Sequence, residues 1–310
     1  MGIMRSALLR ASESRWLAER VRGRRFAKRA VRRFLPGETL EAALGSCVSL
    51  RDAGMLTVVS QLGEAVADRE AAEAATKHYL SALARIGDGG LSTELSVKPT
   101  HLGLDMGRDF CAAQLGVLAD AAAASGSFVW IDMEDSSYVD ATLDVYRHLR
   151  ANTPRVGVCL QAYLYRTAED LASLLPSGAA IRLVKGAYSE PPDVAYPRKS
   201  DVDENFARLA KQLLGAEARA CGVRAGFGTH DVHLIARIRD FAEGAGIGKD
   251  AYEVQMLFGI RRDAQARLAA AGHRVRVLVS YGSEWFPWYM RRLAERPANL
   301  GFLLRSLVAR

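Results

Sequence analysis

Polar residues close one apolar run after another along the later two-thirds of this 310-residue sequence. Lys98 follows Leu95-Ser96-Val97, Asp132 and Glu134 follow residues 128–131, and Gln161 follows residues 156–160. Arg182 and Lys185 bracket a fourth run, and Gly228-Thr229-His230-Asp231 ends a fifth. Glu253 and Gln255 punctuate a sixth, and Tyr281 closes a seventh. One such residue is an ordinary hydrogen-bonded strand end; seven of them mark a catalytic face, provided that the runs are parallel strands of one barrel. The groups suit anions. Lys98, Arg182, Lys185, Arg291 and Arg292 set five cations against few carboxylates, a composition fitted to a carboxylate substrate or a phosphorylated cofactor. Other chemistries lack their signatures: there is no G-x-G-x-x-G, no G-x-x-x-x-G-K-[ST] and no nucleophile elbow. Asp132, Glu134, His230 and Asp231 have no recognised metal-ligand spacing, and no metal is expected. Three aromatics, Trp285, Phe286 and Trp288, stand just before Arg291 and Arg292. A helix of this composition over a barrel mouth would supply an apolar wall and a guanidinium clamp for a small amphipathic acid.

The elements that must position these groups alternate. Strand-like runs at 95–98, 128–133, 156–163, 180–184, 223–229, 252–257, 275–279 and 300–304 are interleaved with helical patterns at 110–124, 138–149, 204–220, 234–243, 264–271 and 285–295. Eight βα units predict an α/β chain built as a (βα)8 barrel, with a doubly wound sheet as the competing architecture. Before them, residues 5–34 read as a basic helix stopped by Pro36-Gly37, and a second helical stretch runs to about residue 50. The Ala- and Glu-rich residues 56–86 read as a third helix, ended by Gly87-Asp88-Gly89-Gly90. The division expected is a helical arm over 1–87 and a barrel over 88–310.

Hydrophobic residues make up 49% and charged residues 25%, which excludes a disordered or fibrous chain. No stretch approaches the ~20 apolar residues of a membrane-spanning helix. The net charge of +7 sits in one place: residues 1–33 carry eleven Arg or Lys against Glu13 and Glu19, leaving 31 basic and 33 acidic groups elsewhere. With Trp16, Phe26 and Phe34 among the arginines, residues 1–34 have the composition of a helix that lies on anionic lipid. They carry no base-reading motif, so no nucleic-acid partner is expected. Cys47, Cys111, Cys159 and Cys221 are widely spaced, as in a reducing compartment, and no apolar run marks a secretory signal. The expected location is cytoplasmic, with peripheral contact at the inner face of the membrane.

Several blocks, in order, resemble the bacterial proline dehydrogenase family: Ser96-Val97-Lys98, Ile131-Asp132, Val158-Cys159-Leu160-Gln161-Ala162-Tyr163, Ile181-Arg182-Leu183-Val184-Lys185-Gly186-Ala187-Tyr188, Gly228-Thr229-His230-Asp231, Tyr252-Glu253-Val254-Gln255-Met256-Leu257-Phe258-Gly259 and Arg291-Arg292-Leu293-Ala294-Glu295. The arm is similar to that of the stand-alone form. The resemblance implies a distorted (βα)8 TIM-like barrel that binds FAD and oxidises L-proline to Δ1-pyrroline-5-carboxylate. It further implies a membrane quinone as electron acceptor and a pyrroline-5-carboxylate (glutamate semialdehyde) dehydrogenase as the next enzyme. By matching position, Arg291, Arg292 and Lys98 would hold the substrate carboxylate, with Glu295 orienting the arginines. Asp132 would position Lys98 or an arginine, and Arg182 would lie near the reacting flavin atom. Met133, Gln161, Arg182, Val184, Lys185, Gly186, Ala187, Thr229, His230 and Gln255 would line the FAD. Tyr188, Leu257, Tyr281 and Trp288 would pack at the substrate. A second reading is a lyase or aldolase barrel forming a Schiff base on Lys98 or Lys185.

Overall fold

The computed structural model describes residues 31–295, together with Ser14, Trp16 and Arg20, and side chains as far as Met290. Eight strands close a parallel barrel in sequence order: β1 (Leu56–Gln61), β2 (Thr93–Val97), β3 (Val129–Ile131), β4 (Val156–Gln161), β5 (Ala180–Val184), β6 (Arg224–Gly228), β7 (Tyr252–Leu257) and β8 (Arg274–Tyr281). The barrel closes where β1 runs beside β8 from Leu56↔Arg276 to Gln61↔Tyr281. Outside it lie helices α1 (Leu40–Asp52), α2 (Arg69–Asp88), α3 (Arg108–Ala124), α4 (Val139–Arg150), α5 (Thr167–Leu174), α6 (Lys199–Leu214), α7 (Ala216–Ala220), α8 (Val232–Gly244), α9 (Arg262–Ala270) and α10 (Trp285–Glu295). This is a (βα)8 barrel, not a doubly wound sheet.

The barrel begins earlier than the sequence pattern suggests. Residues 56–86 are not one helix: Leu56-Thr57-Val58-Val59-Ser60-Gln61 is a buried strand, and α2 starts only after Asp68 caps it by accepting from the Ala71 N–H. The β-branched Thr57, Val58 and Val59 favour extended backbone, and burial on both faces hides the period-2 alternation that would reveal it. An arm boundary at 87/88 would therefore cut off β1 and α2; α1 also packs on β1 and β8. The eighth strand expected at 300–304 lies outside the described residues, and β1 supplies the eighth instead.

Alternation along each strand sorts the side chains. Outward residues join the helices in one large apolar core. Inward, the apolar cluster of Val58, Phe128, Trp130, Ala180 and Leu278 shares the space with charged residues, which are unusual in such a barrel. Glu94 Oε1 accepts from Arg224 Nη2 (2.7 Å) across the interior, and its Oε2 accepts from Trp130 Nε1 (2.7 Å). Glu253 accepts from Arg276 Nε (2.8 Å) and Nη2 (3.0 Å), from Arg224 (3.0 Å) and from Arg274 (2.9 Å). Burial alone would raise the Glu253 pKa; Arg276, Arg224 and Arg274 outweigh it and hold the group well below the usual carboxylate range.

A second apolar cluster roofs the barrel. Trp285, Phe286, Trp288 and Tyr289 of α10 pack with Leu62, just past β1, with Leu257 at the end of β7, and with Val31, Phe34 and Leu35. These strand ends place α10 over the C-terminal mouth. Phe34, read from sequence as lipid-facing, is buried with its ring 6.1 Å from that of Tyr289, because the end of the arm docks on the roof. Trp16 is 62% exposed, with the Arg20 guanidinium 5.1 Å from its ring centre.

Candidate active site

Arg182 is the hub. Its inward direction on β5 carries it across the barrel to residues from three other strands: Nη1 donates to Ser96 Oγ (2.8 Å) and Asp132 Oδ1 (2.9 Å), and Nε donates to Gln255 Oε1 (2.7 Å). Its guanidinium carbon lies 4.6 Å from the centre of the Trp130 ring, a stacked cation–π contact from below. Arg182 is 4% exposed, yet Nη2 has no hydrogen-bond partner among the described residues. On neighbouring β4, Gln161 is buried as well, and its Oε1 is likewise unpartnered. Buried polar atoms of this kind are normally satisfied, so a donor and an acceptor left open near one strand end point to a bound group.

Asp132, the residue after β3, couples that hub to Lys98, the residue after β2. Ser96 Oγ donates to Asp132 Oδ1 (2.7 Å), while Oδ2 lies 3.9 Å from Lys98 Nζ. Burial would lower the Lys98 pKa, but Tyr188, Asp132, Glu64 and Glu134 outweigh it and raise the group above an ordinary lysine. Lys98 is therefore a persistent ammonium: suited to hold a carboxylate and a poor Schiff-base nucleophile. Glu134 is turned away from this group, accepting from the Thr100 N–H (2.9 Å) and Oγ1 (2.6 Å) and so fixing the loop after β2.

The loops after β5 and β6 form the other rim. Lys185 points outward from Arg182, into Asp203 of α6 (2.5 Å) and Asp231, the N-cap of α8 (2.9 Å). With two carboxylates on its ammonium, Lys185 is no better a Schiff-base candidate than Lys98. Gly186 has φ +113°, and a Cβ there would stand 2.3 Å from the Tyr163 ring, so only glycine passes. Val184, Ala187, Tyr188 and His230 are half-buried on this rim, and Thr229 is buried, its N–H donating to the Gln255 carbonyl (3.1 Å). Met133 is buried beside Asp132, within the apolar core.

One expected residue ends elsewhere, and three more have side chains outside those described. Tyr281 is 1% exposed, and its hydroxyl meets His78 Nε2 of α2 at 2.8 Å. Glu253, Gln255 and Arg276 show which face of the sheet is inside; by the same alternation on β8, Tyr281 points outward, and it is not a substrate contact. Arg291, Arg292 and Glu295 lie on α10, above the mouth, but their side chains fall outside those described. Leu257 and Trp288 do meet, in the roof cluster. Sequence reasoning missed Ser96, Trp130, Glu94 and Arg276 as supports of Arg182 and its surroundings. A signal existed: Glu94, Ser96 and Lys98 occupy every second position along β2 and its end, with apolar Leu95 and Val97 between them.

A parallel barrel whose C-terminal mouth gathers Arg182 and Lys98 around one carboxylate, under an aromatic helix, has the form of a barrel enzyme. The model of the proline dehydrogenase family matches residues 43–305. The chain is 37% identical to proline dehydrogenase 1 of Bacillus subtilis (strain 168), over 89% of this chain and 90% of that one. It is 38% identical to the proline dehydrogenase of Deinococcus radiodurans, over 89% of each. Among solved structures it is similar to proline utilization A of Bdellovibrio bacteriovorus inactivated by N-propargylglycine, with a TM-score of 0.81 and 26% identity over 87% of this chain. Proline utilization A of Bradyrhizobium japonicum shares the fold, with a TM-score of 0.73 and 23% identity over 90% of this chain. The chain spans about a third of each of those two proteins, 33% and 32%. The chain belongs to the proline dehydrogenase family, and it oxidises L-proline.

Proposed function

We propose that the barrel mouth holds FAD and that L-proline is oxidised there to Δ1-pyrroline-5-carboxylate. The observation that carries this reading is the pair of buried, unpartnered polar atoms on adjacent strands, Arg182 Nη2 of β5 and Gln161 Oε1 of β4. One donor and one acceptor, with a cation nearby, match the polar edge of a flavin. FAD, when bound, supplies the hydride acceptor that no side chain can provide. Arg182 would hold positive charge where electron density arrives, and Gln161, Gln255, Thr229 and His230 would fix the ring system. Val184, Lys185, Gly186, Ala187 and Met133 would shape the rest of the FAD site, with Lys185 braced by Asp203 and Asp231. Lys98, Arg291 and Arg292 would bind the substrate carboxylate, and Glu295 would orient the arginine pair. Asp132 would keep Lys98 charged and Arg182 in place. Tyr188, Leu257 and Trp288 would enclose the pyrrolidine ring and exclude water.

The test is an absorbance spectrum of the purified protein followed by anaerobic addition of L-proline. A yellow protein that bleaches supports the reading; a colourless one that binds no added FAD overturns it. Electrons would pass to a membrane quinone, the basic residues 1–30 with exposed Trp16 would touch anionic lipid from the cytoplasmic side, and a pyrroline-5-carboxylate dehydrogenase would take the product. At ~1 kcal/mol per basic residue near such a surface, a few contacts give reversible binding. The full chain should sediment with anionic vesicles at low salt and be released at high salt; sedimentation unaffected by deleting residues 1–30 would remove the arm from that role.

A further inference from the structure

Below the mouth, a chain of hydrogen bonds leads from Arg182 down to the charged interior. Arg182 Nε donates to Gln255 Oε1 (2.7 Å), Gln255 Nε2 donates to Glu253 Oε2 (3.1 Å), and Glu253 is held from the other side by Arg276, Arg224 and Arg274. A glutamine amide can be turned either way, since one end accepts and the other donates. Neighbours decide. Glu253, kept ionised by three guanidiniums, can only accept, so the NH2 end of Gln255 must face it. That leaves the oxygen for Arg182, which can only donate. Were the amide turned over, two donors would meet at Arg182 Nε and the bond would be lost. The neighbouring strand leaves room for this amide: a Cβ at Gly226 of β6 would stand 2.7 Å from Gln255 Nε2.

We infer that Glu253 is a positioning residue for the reaction: by orienting the Gln255 amide, it fixes how Arg182 presents its open Nη2 at the mouth. The inference rests on the reading that Arg182 faces the flavin. It goes beyond a role for Glu253 as a mere counter-ion of the interior, because it predicts that the effect of Glu253 travels through Arg182.

The test compares full-length, flavin-loaded proteins by the midpoint potential of the bound flavin and the rate of anaerobic bleaching by L-proline. Glu253→Gln alone would strand three arginines, so it is paired with Arg276→Gln, which removes one charge of each sign. Glu253→Asp, which keeps the charge and withdraws the carboxylate by one methylene, carries the same comparison if the paired variant loses its flavin. Arg182→Ala is expected to lower the potential; the Glu253 variants should lower it part of the way and slow bleaching by about three- to ten-fold. Combined with Arg182→Ala they should add nothing, since residues acting by one route are not additive. An unchanged potential in Arg182→Ala overturns the reading of Arg182 and this inference with it. A shift in Arg182→Ala alongside none in the Glu253 variants, or shifts that add in the combination, overturns the positioning role alone.

Discussion

Asp132→Asn is the sharpest probe of the site, because it keeps shape and removes one charge. The carbonyl oxygen of asparagine can still accept from Ser96 and Arg182, so both bonds to Oδ1 survive in neutral form. Turning the Arg182 contact from charged to neutral forfeits roughly half of a 1.5–3 kcal/mol charge-assisted bond, or about 1 kcal/mol. At Oδ2 the Lys98 ammonium, 3.9 Å away, loses a carboxylate and gains a donor. An ion pair at that distance is worth about 4 kcal/mol in a medium of effective dielectric 20, and the partial exposure of both groups brings this down to about 1–2 kcal/mol. A total of about 2–3 kcal/mol predicts a fall in kcat/KM of roughly 30- to 150-fold. Steady-state kinetics with L-proline and an artificial dye acceptor measure it, with flavin content and melting temperature as controls. A flavin-loaded, stably folded Asp132→Asn protein with kcat/KM within three-fold of the parent would show that Asp132 couples nothing that matters to the reaction.

Gly186→Ala forces a side chain into left-handed backbone against the Tyr163 ring, at a cost of about 1–3 kcal/mol, and should lower both the melting temperature and the flavin content. Tyr281→Phe removes the 2.8 Å contact with His78 and should cost about 1 kcal/mol of stability while leaving the KM for L-proline within two-fold. His101 is held down to about 4 by burial and then by the Lys98 cation, against an ordinary value of 6.5. In that window the unfolded chain binds a proton that the folded one does not, so stability should fall as pH drops from 6.5 towards 4 and level off below. Thermal melts at several pH values check it, and His101→Leu should flatten the slope; an identical slope in the variant would assign the acid loss to other groups.

Much of the site was legible because strand ends can be counted in a sequence. Lys98, Asp132, Gln161, Arg182 and Gln255 each close or punctuate an apolar run, and all five reach the barrel interior or its mouth. What the run alone cannot tell is parity. Lys185, three residues after Arg182, lies on the opposite face of the strand and ends in Asp203 and Asp231, and Tyr281 ends in the helix layer for the same reason. A strand buried on both faces has no hydrophobic alternation, and β1 vanished into a helical reading for that reason, next to the strong helical pattern of α2.

Polar residues inside such a strand restore the lost parity. Glu94, Ser96 and Lys98 fix the inward face of β2, and Glu253 with Gln255 locates β7, where the inward residue is the odd one. On β8, Arg274 and Arg276 do the same, and two further steps of two lead through Leu278 to Ser280, leaving Tyr281 outside. The partners themselves were beyond any local pattern. Ser96, Asp132 and Gln255 stand 86, 50 and 73 residues from Arg182 and meet it only because the barrel closes. A charge placed at the inward parity of a strand that water cannot reach must find its counter-charge across the interior, since an unpaired one would cost several kcal/mol. The two interior carboxylates, paired with buried Arg276, half-buried Arg224 and exposed Arg274 at the floor, therefore specify the same closure that assembles the hub above them. The ionic interior and the reacting face are one arrangement, in which the lower half orients Arg182, whose Nη2 has no hydrogen-bond partner among the described residues.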